Sequence, residues 1–317
     1  MEKFKNIFKL LKLFFFGNNL YLINSPAEYL CFVEWYNKFC NNKKDITIII
    51  GFSNNDSIAQ IKCLMKEYFD FKDCFFLKDL FYESFFKIVL HAYKIFHINK
   101  NLVVVGDYKY YLNKPIYLRA KKFVLLDEGI SLTRLEKKNF LNKDYKVFTI
   151  FNHFEDIKND LNKFEFLKKR ITNIKRIDSK KIILLGTRAA EYNLITKKFY
   201  FEKIIKFAEL YPKNKIIFIP HREDKIADEF NMPDNIIVQK TYKPIEAELV
   251  FMDNLPKIIS GFYSAALLNL SVILDGTGIK ITNVAYDLKD YKNEQIKKSF
   301  KTVTNLPQFK SIEQLEL

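Results

Sequence analysis

Polar residues that can take part in catalysis follow an apolar, strand-like run in the first half of the sequence. Asp127, Glu128 and Gly129 end the segment KKFVLLDEG. A carboxylate in such a place can accept the proton of a hydroxyl nucleophile, and a glycine lets the backbone turn sharply behind it. Neighbouring side chains on a strand point to opposite faces, so at most one of the two carboxylates aims at a ligand. The alternative is an ordinary acidic turn, which is the more common explanation for an isolated Asp-Glu-Gly sequence.

Three strand-like runs in the second half are each followed by residues that suit an anionic ligand. They are Gly186-Thr187, Pro220-His221-Arg222 and Ser260-Gly261-Phe262-Tyr263-Ser264. His221 and Arg222 can donate hydrogen bonds to a phosphate, and Gly261 permits a ligand to approach the backbone closely. Ser264 precedes the apolar run AALLNL and is expected to cap a helix, whose first N–H groups attract phosphate. Taken singly, each residue also has an ordinary structural explanation as a cap or a loop anchor.

The sequence lacks the patterns of the common nucleotide and metal sites. Neither GxxxxGK[ST] nor GxGxxG is present, which removes the main support for nucleoside triphosphate hydrolysis and for dinucleotide binding. The four cysteines form no CxxC pair and the four histidines are scattered, so we expect no metal site and no cofactor. The cysteines are expected to be reduced thiols: Cys31, Cys40, Cys63 and Cys74.

Parallel strands would bring these loops together, because ligands bind at the carboxyl ends of strands in open parallel sheets. Short apolar runs alternate with amphipathic stretches along the chain, as in parallel sheets that are covered by helices on both faces. The strands predicted in the first half are 19–24, 45–52, 101–108, 121–129 and 145–151. Those predicted in the second half are 181–186, 215–220, 235–240, 257–260 and 271–276.

The pattern and the length of 317 residues predict an α/β protein with two Rossmann-like domains that face each other across a cleft. The predicted organisation has four parts. A basic amphipathic segment (1–18) precedes a first domain (19–155), and a charged linker (156–180) precedes a second domain (181–317). The linker is placed there because its residues are charged and contain no long apolar run.

The charge of the chain indicates an anionic partner. Lys and Arg number 52 against 37 Asp and Glu, which gives a formal net charge of +15. Nucleic acid, an acidic membrane surface or a phosphorylated substrate would each fit this balance. The lysines are spread over the chain and no RNA-binding or helix-turn-helix signature contains them, so nucleic acid is the least favoured partner.

The first seventeen residues form a basic amphipathic pattern. Phe4, Ile7, Phe8, Leu11 and Phe15 share one side of a helix, with lysines beside them. We expect this helix to lie on an anionic bilayer, or to dock on the protein's own core or on a second subunit of a homodimer. Its apolar run is too short to span a bilayer, and no signal-peptide cleavage site follows it. The expected location is the cytoplasm, and in the bilayer case the inner face of the cytoplasmic membrane.

The order of the motifs resembles that of bacterial sialyltransferases of the lipooligosaccharide and capsular polysialyltransferase groups. The pattern of these enzymes has three parts: Asp/Glu-Asp/Glu-Gly, His-Pro and a serine motif. Here the parts are Asp127-Glu128-Gly129, Pro220-His221-Arg222 and SGFYS at 260–264. The segment NLYLINSPAEYLCFVEW is similar to the first strand and helix of the lipooligosaccharide group. The resemblance covers residues 19 to 275, and Arg222 stands where the family has a proline.

This resemblance implies an inverting, metal-independent glycosyltransferase of the GT-B type. Such an enzyme moves sialic acid from CMP-sialic acid, the donor substrate, to a sugar hydroxyl of a glycan or glycolipid acceptor in lipooligosaccharide or capsule. The first domain would hold the acceptor and the second the donor. Asp127 would be the general base with Glu128 beside it, and His221 would donate to the departing phosphate. The remaining implied donor-binding residues are Gly186, Thr187, Arg222, Ser260, Gly261 and Ser264.

Two alternatives remain open at this stage. One keeps the fold and changes the donor to another CMP-nonulosonate or to a different nucleotide sugar, with the missing metal motif counting against nucleoside diphosphate sugars. The other is a non-catalytic protein that binds or assembles polysaccharide. The sequence does not identify the acceptor or the linkage formed.

Overall fold

The fold was analysed in a computed structural model that describes residues 2–17, 19–40, 47–51, 53–68, 73–80, 83–95, 100–106, 113–127, 132, 144–151, 159–172, 176–222, 224–285 and 304–317. The chain divides into two compact units, Met1–Lys163 and Phe164–Leu317. Each unit is built on one parallel sheet with helices, so the predicted pair of α/β domains is confirmed. The boundaries proposed for a linker at 156–180 stay a prediction.

The described part of the first unit contains a sheet of seven strands in the order β3-β2-β1-β4-β5-β6-β7, and all neighbouring pairs are parallel. The strands are β1 (Asn19–Ile23), β2 (Thr47–Ile50), β3 (Asp73–Phe76), β4 (Lys100–Val105), β5 (Ala120–Leu126), β6 (Asp144–Thr149) and β7 (Asn159–Leu161). The helices are α1 (Glu2–Phe16), α2 (Pro26–Phe39), α3 (Asn55–Tyr68), α4 (Leu77–Leu80), α5 (Glu83–Ile95) and α6 (Lys114–Tyr117).

The second unit has six strands among its described residues, in the order β10-β9-β8-β11-β12-β13, again with parallel neighbours. The strands are β8 (Ile177–Leu185), β9 (Lys215–Ile219), β10 (Ile236–Val238), β11 (Leu255–Gly261), β12 (Lys280–Ala285) and β13 (Glu313–Glu316). The helices are α7 (Glu165–Thr172), α8 (Lys197–Leu210), α9 (Ile226–Glu229), α10 (Ile245–Glu248), α11 (Ala265–Ile273) and α12 (Pro307–Lys310).

Local chemistry accounts for where the central elements begin. At the start of α2 the Ser25 side chain accepts a hydrogen bond from Glu28 N, and Pro26 occupies the first turn, as the sequence predicts. The residues Ile48, Ile49 and Ile50 of β2 are at most 1% exposed, so this strand is covered on both faces. Such two-sided burial requires the continuous apolar runs by which these strands are recognised in the sequence.

One strand predicted in the second half is wrong. Residues 271–276 form the end of α11 and the turn after it, in which Gly276 has a φ of +80°. The run from Ala265 to Leu274 is apolar except at Asn269 and Ser271, and a short apolar run of this kind does not distinguish a buried helix from a buried strand.

Four observed strands were missed by the sequence prediction: β3, β7, β12 and β13. They have three to six residues, and several of their positions are polar. Among the described strands, the edge strand β13, with the sequence EQLE, pairs with β12 alone, so its neighbour rather than an apolar pattern of its own defines it.

The strand orders define a reversal point in each sheet. In the first unit β1 lies between β2 and β4, and the chain runs outward from β1 on one side before it returns on the other. In the second unit β8 lies in the same way between β9 and β11. Ligands of open parallel sheets bind outside the carboxyl ends of the strands at such a reversal point. A ligand site is therefore expected first at the carboxyl ends of β1 and β4 in one unit, and of β8 and β11 in the other.

Helix α1 packs on the first unit through a different stripe from the one predicted. Leu10 and Phe14 are each 1% exposed, and the Phe14 ring lies 5.0 Å from the ring of Tyr93 on α5. Phe8, which belongs to the apolar stripe predicted from the sequence, is 72% exposed. The docked alternative is thus observed for one face of α1. No described helix is long and apolar enough to cross a membrane.

A buried lysine fastens the end of this helix. Lys100, the first residue of β4, is 1% exposed and its Nζ donates to the Gly17 carbonyl oxygen at 2.5 Å. Burial lowers the pKa of the Lys100 amine from 10.5 to about 8. The unfolded chain therefore binds more protons than the folded chain between these two pH values, and this group makes the free energy of unfolding rise with pH across that window.

We expect Lys100→Met to abolish this contribution. The free energy of unfolding is measured in urea at several pH values from 7 to 10.5. The value for wild type should rise with pH relative to the value for the variant. Lys215→Met is the matched control, because Lys215 is the exposed first residue of β9. If wild type and Lys100→Met give parallel curves, the Lys100 amine does not titrate in this window.

Candidate functional site

The carboxyl edge of the second sheet brings together most of the predicted donor-binding residues. Gly186 follows β8, His221 comes two residues after β9 ends, and Gly261 ends β11. Since β9, β8 and β11 are neighbours in the sheet, their ends lie side by side. Thr187 and the partly buried His221 are next to exposed arginines, Arg188 and Arg222. The edge thus combines two glycines with basic side chains.

Gly186 is required by its surroundings. A Cβ on this residue would lie 2.9 Å from Pro220 Cα and 3.0 Å from His221 N, both of them backbone atoms. It would also lie 2.7 Å from Asp224 Oδ2. The loops after β8 and β9 therefore pass so close together that only glycine fits between them.

A chain of buried hydrogen bonds joins these two loops. The Tyr200 hydroxyl on α8 donates to Asp224 Oδ2 at 2.8 Å and accepts from Thr187 N at 3.0 Å. Asp224 Oδ1 accepts from Ile226 N at 2.9 Å, at the start of α9. The loop that carries Thr187 and the loop that carries His221 are thus held by one tyrosine and one carboxylate.

Burial dominates the electrostatics of this chain of hydrogen bonds. It raises the pKa of Asp224 from 3.8 to about 6, partly offset by the hydrogen bonds from Ile226 N and Tyr200, while Glu191 and Asp228 add to the rise. The pKa of the Tyr200 hydroxyl is also raised, first by burial and then by the Asp224 charge. Tyr200 therefore stays protonated at neutral pH and acts as the donor to Asp224.

The turn after β11 is fixed from the neighbouring strands. Tyr263 has a φ of +46°, a conformation that non-glycine residues seldom adopt, and its N–H donates to Asn283 Oδ1 at 2.7 Å. Asn283 on β12 in turn donates to Gln314 Oε1 on β13 at 2.9 Å. Ser264 then caps α11 by accepting from Ala266 N at 3.2 Å, as predicted.

Ser260 is buried inside the sheet, whereas a side chain that binds a ligand has to be accessible to it. Its side chain is 0% exposed and it is aligned with Thr282 of β12. Within the described residues, neither hydroxyl group has a hydrogen-bond partner. Of the serine motif, the Gly261 backbone and Ser264 are thus the parts placed at the edge of the sheet.

In the first unit, Asp127 follows β5 and is 3% exposed. Its Oδ1 accepts from Thr149 Oγ1 at 2.6 Å and its Oδ2 from Ile150 N at 2.7 Å. Burial raises the pKa of Asp127 to about 7, although both hydrogen bonds lower it. A carboxyl group with such a pKa can exchange a proton near neutral pH, as a general base must. Glu128 and Gly129 lie outside the described residues.

The reversal point of the first sheet is filled by a protein side chain. Gly106 follows β4, and a Cβ there would overlap the carboxylate of Glu28, which is 0% exposed. Glu28 Oε2 accepts from Asn24 N at 2.8 Å, next to the end of β1. A phosphate is repelled by a buried carboxylate, so the edge of the second sheet is the better place for an anionic ligand.

The described residues contain no group of three or more His, Cys, Asp or Glu side chains that could hold a metal ion. The sequence prediction also missed residues that build the site. Tyr200, Asp224 and Asn283 act through partners 13 to 31 residues away along the chain. The sequence offered one indication of this group, which is the position of Asp224 three residues after His221.

Several solved structures share this fold. A UDP-GlcNAc 2-epimerase from Methanocaldococcus jannaschii, in complex with UDP-GlcNAc and UDP, has a TM-score of 0.56 and 12% identity over 91% of this chain and 92% of its own. A proposed UDP-N-acetylglucosamine 2-epimerase from Listeria monocytogenes gives 0.55 and 11% over 93% and 90%. MnaA from S. aureus, in a co-structure with UDP, gives 0.52 and 8% over 93% and 91%. No family model and no curated protein matches the sequence.

These comparisons confirm the fold class, two parallel-sheet α/β domains of the GT-B type, and they overturn the resemblance to sialyltransferases. The similar structures belong to a different group of GT-B-like enzymes, and no sequence match supports the three-part motif. The motif residues occur here because the local geometry at the strand ends requires them. A glycine such as Gly186, or a capping serine such as Ser264, is demanded by tight loops and helix starts in any sheet of this kind.

We expect Asp224→Asn to destabilise the second unit by about 1–3 kcal/mol, because an amide cannot accept from both Tyr200 and Ile226. Tyr200→Phe should do the same, and the double variant should lose less than the sum. Since the folded Asp224 pKa is raised, its contribution is fully present below pH 3.8 and is lost as pH rises through about 6. The stability deficit of Asp224→Asn should therefore shrink with rising pH.

Differential scanning calorimetry from pH 4 to 8 measures this effect. Asp178→Asn is the matched control, because Asp178 is exposed and accepts a local hydrogen bond from Lys180 N at 2.9 Å. Strict additivity of the Asp224 and Tyr200 substitutions would show that the two side chains do not interact.

Proposed function

We propose that this chain is a GT-B-type enzyme that uses a nucleotide sugar, and that its second unit binds the nucleotide phosphates at the reversal point between β8 and β11. The observation that carries the proposal is the position of the start of α11, which follows β11 at that point and lies beside the loops after β8 and β9 that Gly186 allows to pass close together. Ligand binding at such a point is the general rule for open parallel sheets.

Phosphate recognition would come from the backbone as much as from side chains. The start of a helix carries partial positive charge, so the start of the nine-residue α11 favours an anion, although the Ser264 side chain already accepts from Ala266 N there. Arg222, exposed beyond β9, supplies a charge-assisted donor. These groups can offset the charge of a diphosphate without a metal ion, which removes the sequence-based argument against nucleoside diphosphate sugars.

The donor that we propose is a UDP sugar. Two of the structures that share the fold were solved with UDP, and one of them also with UDP-GlcNAc. At 8–12% identity these structures support the fold, and the donor is our extension from it. The net charge of +15 is of the right sign for a doubly phosphorylated ligand.

Glycosyl transfer is the reaction that we favour, with Asp127 as the proposed general base that takes the acceptor's hydroxyl proton. Epimerisation at C2 of the sugar is the second candidate, because two of the three structures described above carry that activity in their names. The two reactions differ in a simple product analysis. Transfer releases UDP and needs an acceptor, whereas epimerisation yields an isomeric UDP sugar and needs none.

The decisive experiment incubates the full chain with UDP-GlcNAc, with and without a mixture of simple glycosides as acceptors, and follows UDP and the sugar configuration by NMR. Adding EDTA tests whether either reaction needs a metal ion. CMP, GDP and ADP sugars serve as comparison donors. If no nucleotide binds and no nucleotide sugar is consumed, the proposed function is wrong.

We expect Arg222→Gln to weaken UDP binding about tenfold in calorimetric titration, the effect of losing one charge-assisted hydrogen bond. Arg176→Gln is the matched control, since the exposed Arg176 precedes β8 at the opposite edge of the same sheet. Equal affinities of the two variants would place the phosphates away from Arg222.

We expect the acid limb of the pH–rate profile to report Asp127, with an apparent pKa of about 7. Thr149→Val removes a hydrogen bond that lowers this pKa, so the limb should move to higher pH by about one unit. Thr241→Val, in the second unit, is the control. An unmoved limb in an active Thr149→Val protein would show that Asp127 is not the titrating base.

A further inference from the structure

One side of α1 is fastened to the first unit and the other side faces outward. Leu10 and Phe14 are each 1% exposed, with the Phe14 ring against Tyr93. At the end of the helix, the Lys100 amine holds the Gly17 carbonyl. The orientation of α1 on the first unit is therefore set by packing and by a buried hydrogen bond.

The outer face of α1 consists of Lys5, Phe8, Lys9, Lys12 and Phe16. These residues are exposed, and the two phenylalanines are 72% and 81% exposed. Each of these residues lies three or four positions from at least one of the others, so all five share one side of the helix. Residues 5–16 contain no Asp or Glu. The face thus carries two aromatic rings among basic side chains.

We propose that the outer face of α1 binds an anionic lipid bilayer, with Phe8 and Phe16 inserted into the interface and the lysines among the lipid headgroups. A helix that lies in the plane of a membrane has this composition, with large apolar side chains beside Lys. Lysine stems extend along apolar surface while their ammonium groups reach the charged layer. The charge of the face is complementary to anionic lipid, and the whole chain, at +15, carries the same sign.

A bilayer fits this face better than a protein partner does. Stable protein interfaces are depleted in lysine and bury a closed apolar centre. On α1 the lysines lie between the phenylalanines rather than around them: Lys12 is four residues from both Phe8 and Phe16. Flexible ammonium groups at the centre of the face suit a fluid layer of phosphates.

The geometry also determines which variants can test the proposal. Removing α1 would uncover its buried contacts and confuse unfolding with loss of lipid binding. Substitutions on the exposed outer face leave those contacts in place. The two test proteins are therefore Phe8→Ser/Phe16→Ser and Lys5→Glu/Lys12→Glu, each made in the full chain.

Matched controls lie on the second unit. Lys206→Glu/Lys213→Glu makes the same change in net charge at exposed lysines. Leu210→Ser/Tyr242→Ser removes apolar side chains that are 49% and 83% exposed. Calorimetry and analytical ultracentrifugation verify that all proteins fold and keep the mass of the wild type.

The experiment is cosedimentation with vesicles of phosphatidylcholine alone or with about one third phosphatidylglycerol, at about 0.1 M and about 0.5 M salt. Wild type should bind the anionic vesicles, and the lysine variant should lose roughly 30-fold in affinity at low salt. The phenylalanine variant should lose roughly tenfold at both salt concentrations, because salt does not screen apolar insertion. Both control proteins should bind as wild type does.

Other results overturn the proposal. If the control lysine variant loses as much affinity as the α1 variant, binding reflects net charge and not this face. If the phenylalanine variant binds like wild type, no insertion occurs. If the α1 variants change the mass of the protein, the face contacts a second copy. None of these outcomes depends on whether the protein uses a nucleotide sugar.

Discussion

In both units every described strand pairs in parallel with its neighbours, so each return to the sheet needs a crossover over one of its faces. Helices then cover the sheet, and strands such as β2 and β4 must be apolar on both sides, as Ile48–Ile50 and Val103–Val105 are. Polar side chains that can contact a ligand therefore lie mainly in the loops beyond the strand ends. Gly186, Arg222, Asp127 and Asp224 are found there.

Buried carboxyl groups organise these loops. Asp127 accepts hydrogen bonds from the last residue of β6 and from the residue after it, and Asp224 joins two loops through Tyr200. Glu246 on α10 accepts from Asn269 on α11 at 2.8 Å. In each case burial raises the pKa, and hydrogen bonds to the ionised form oppose the rise. Such groups have defined partners and fix the loop conformation, since an unmade bond inside the protein costs more than one on the surface.

The N-terminal helix shows how one amphipathic pattern can serve two surfaces. The side that packs is centred on Leu10 and Phe14, whereas Phe8 and Phe16 remain exposed on the other side. Lys100 stabilises the docked side at the cost of a buried amine. A helix fixed in this way presents its lysines and its exposed rings in a single orientation.

The sequence by itself determined the class of fold, most strand positions in both units, and the helix caps at Ser25 and Ser264, because these follow from local patterns and local hydrogen bonds. It also placed Gly186, His221 and Gly261 at strand ends. It did not determine the family, because short strand-end motifs are shared by unrelated enzymes that have the same architecture.

Only the tertiary structure decided which polar residues act together. Asp224, Tyr200 and Thr187 are distant in sequence and meet because β8, α8 and the loop after β9 pack closely around Gly186. The helical form of 271–273, the strand form of EQLE and the buried stripe of α1 were decided in the same way, by the neighbours that each segment packs against. The physical reason is that burial and pairing depend on residues far along the chain, whereas periodicity reports only the segment itself.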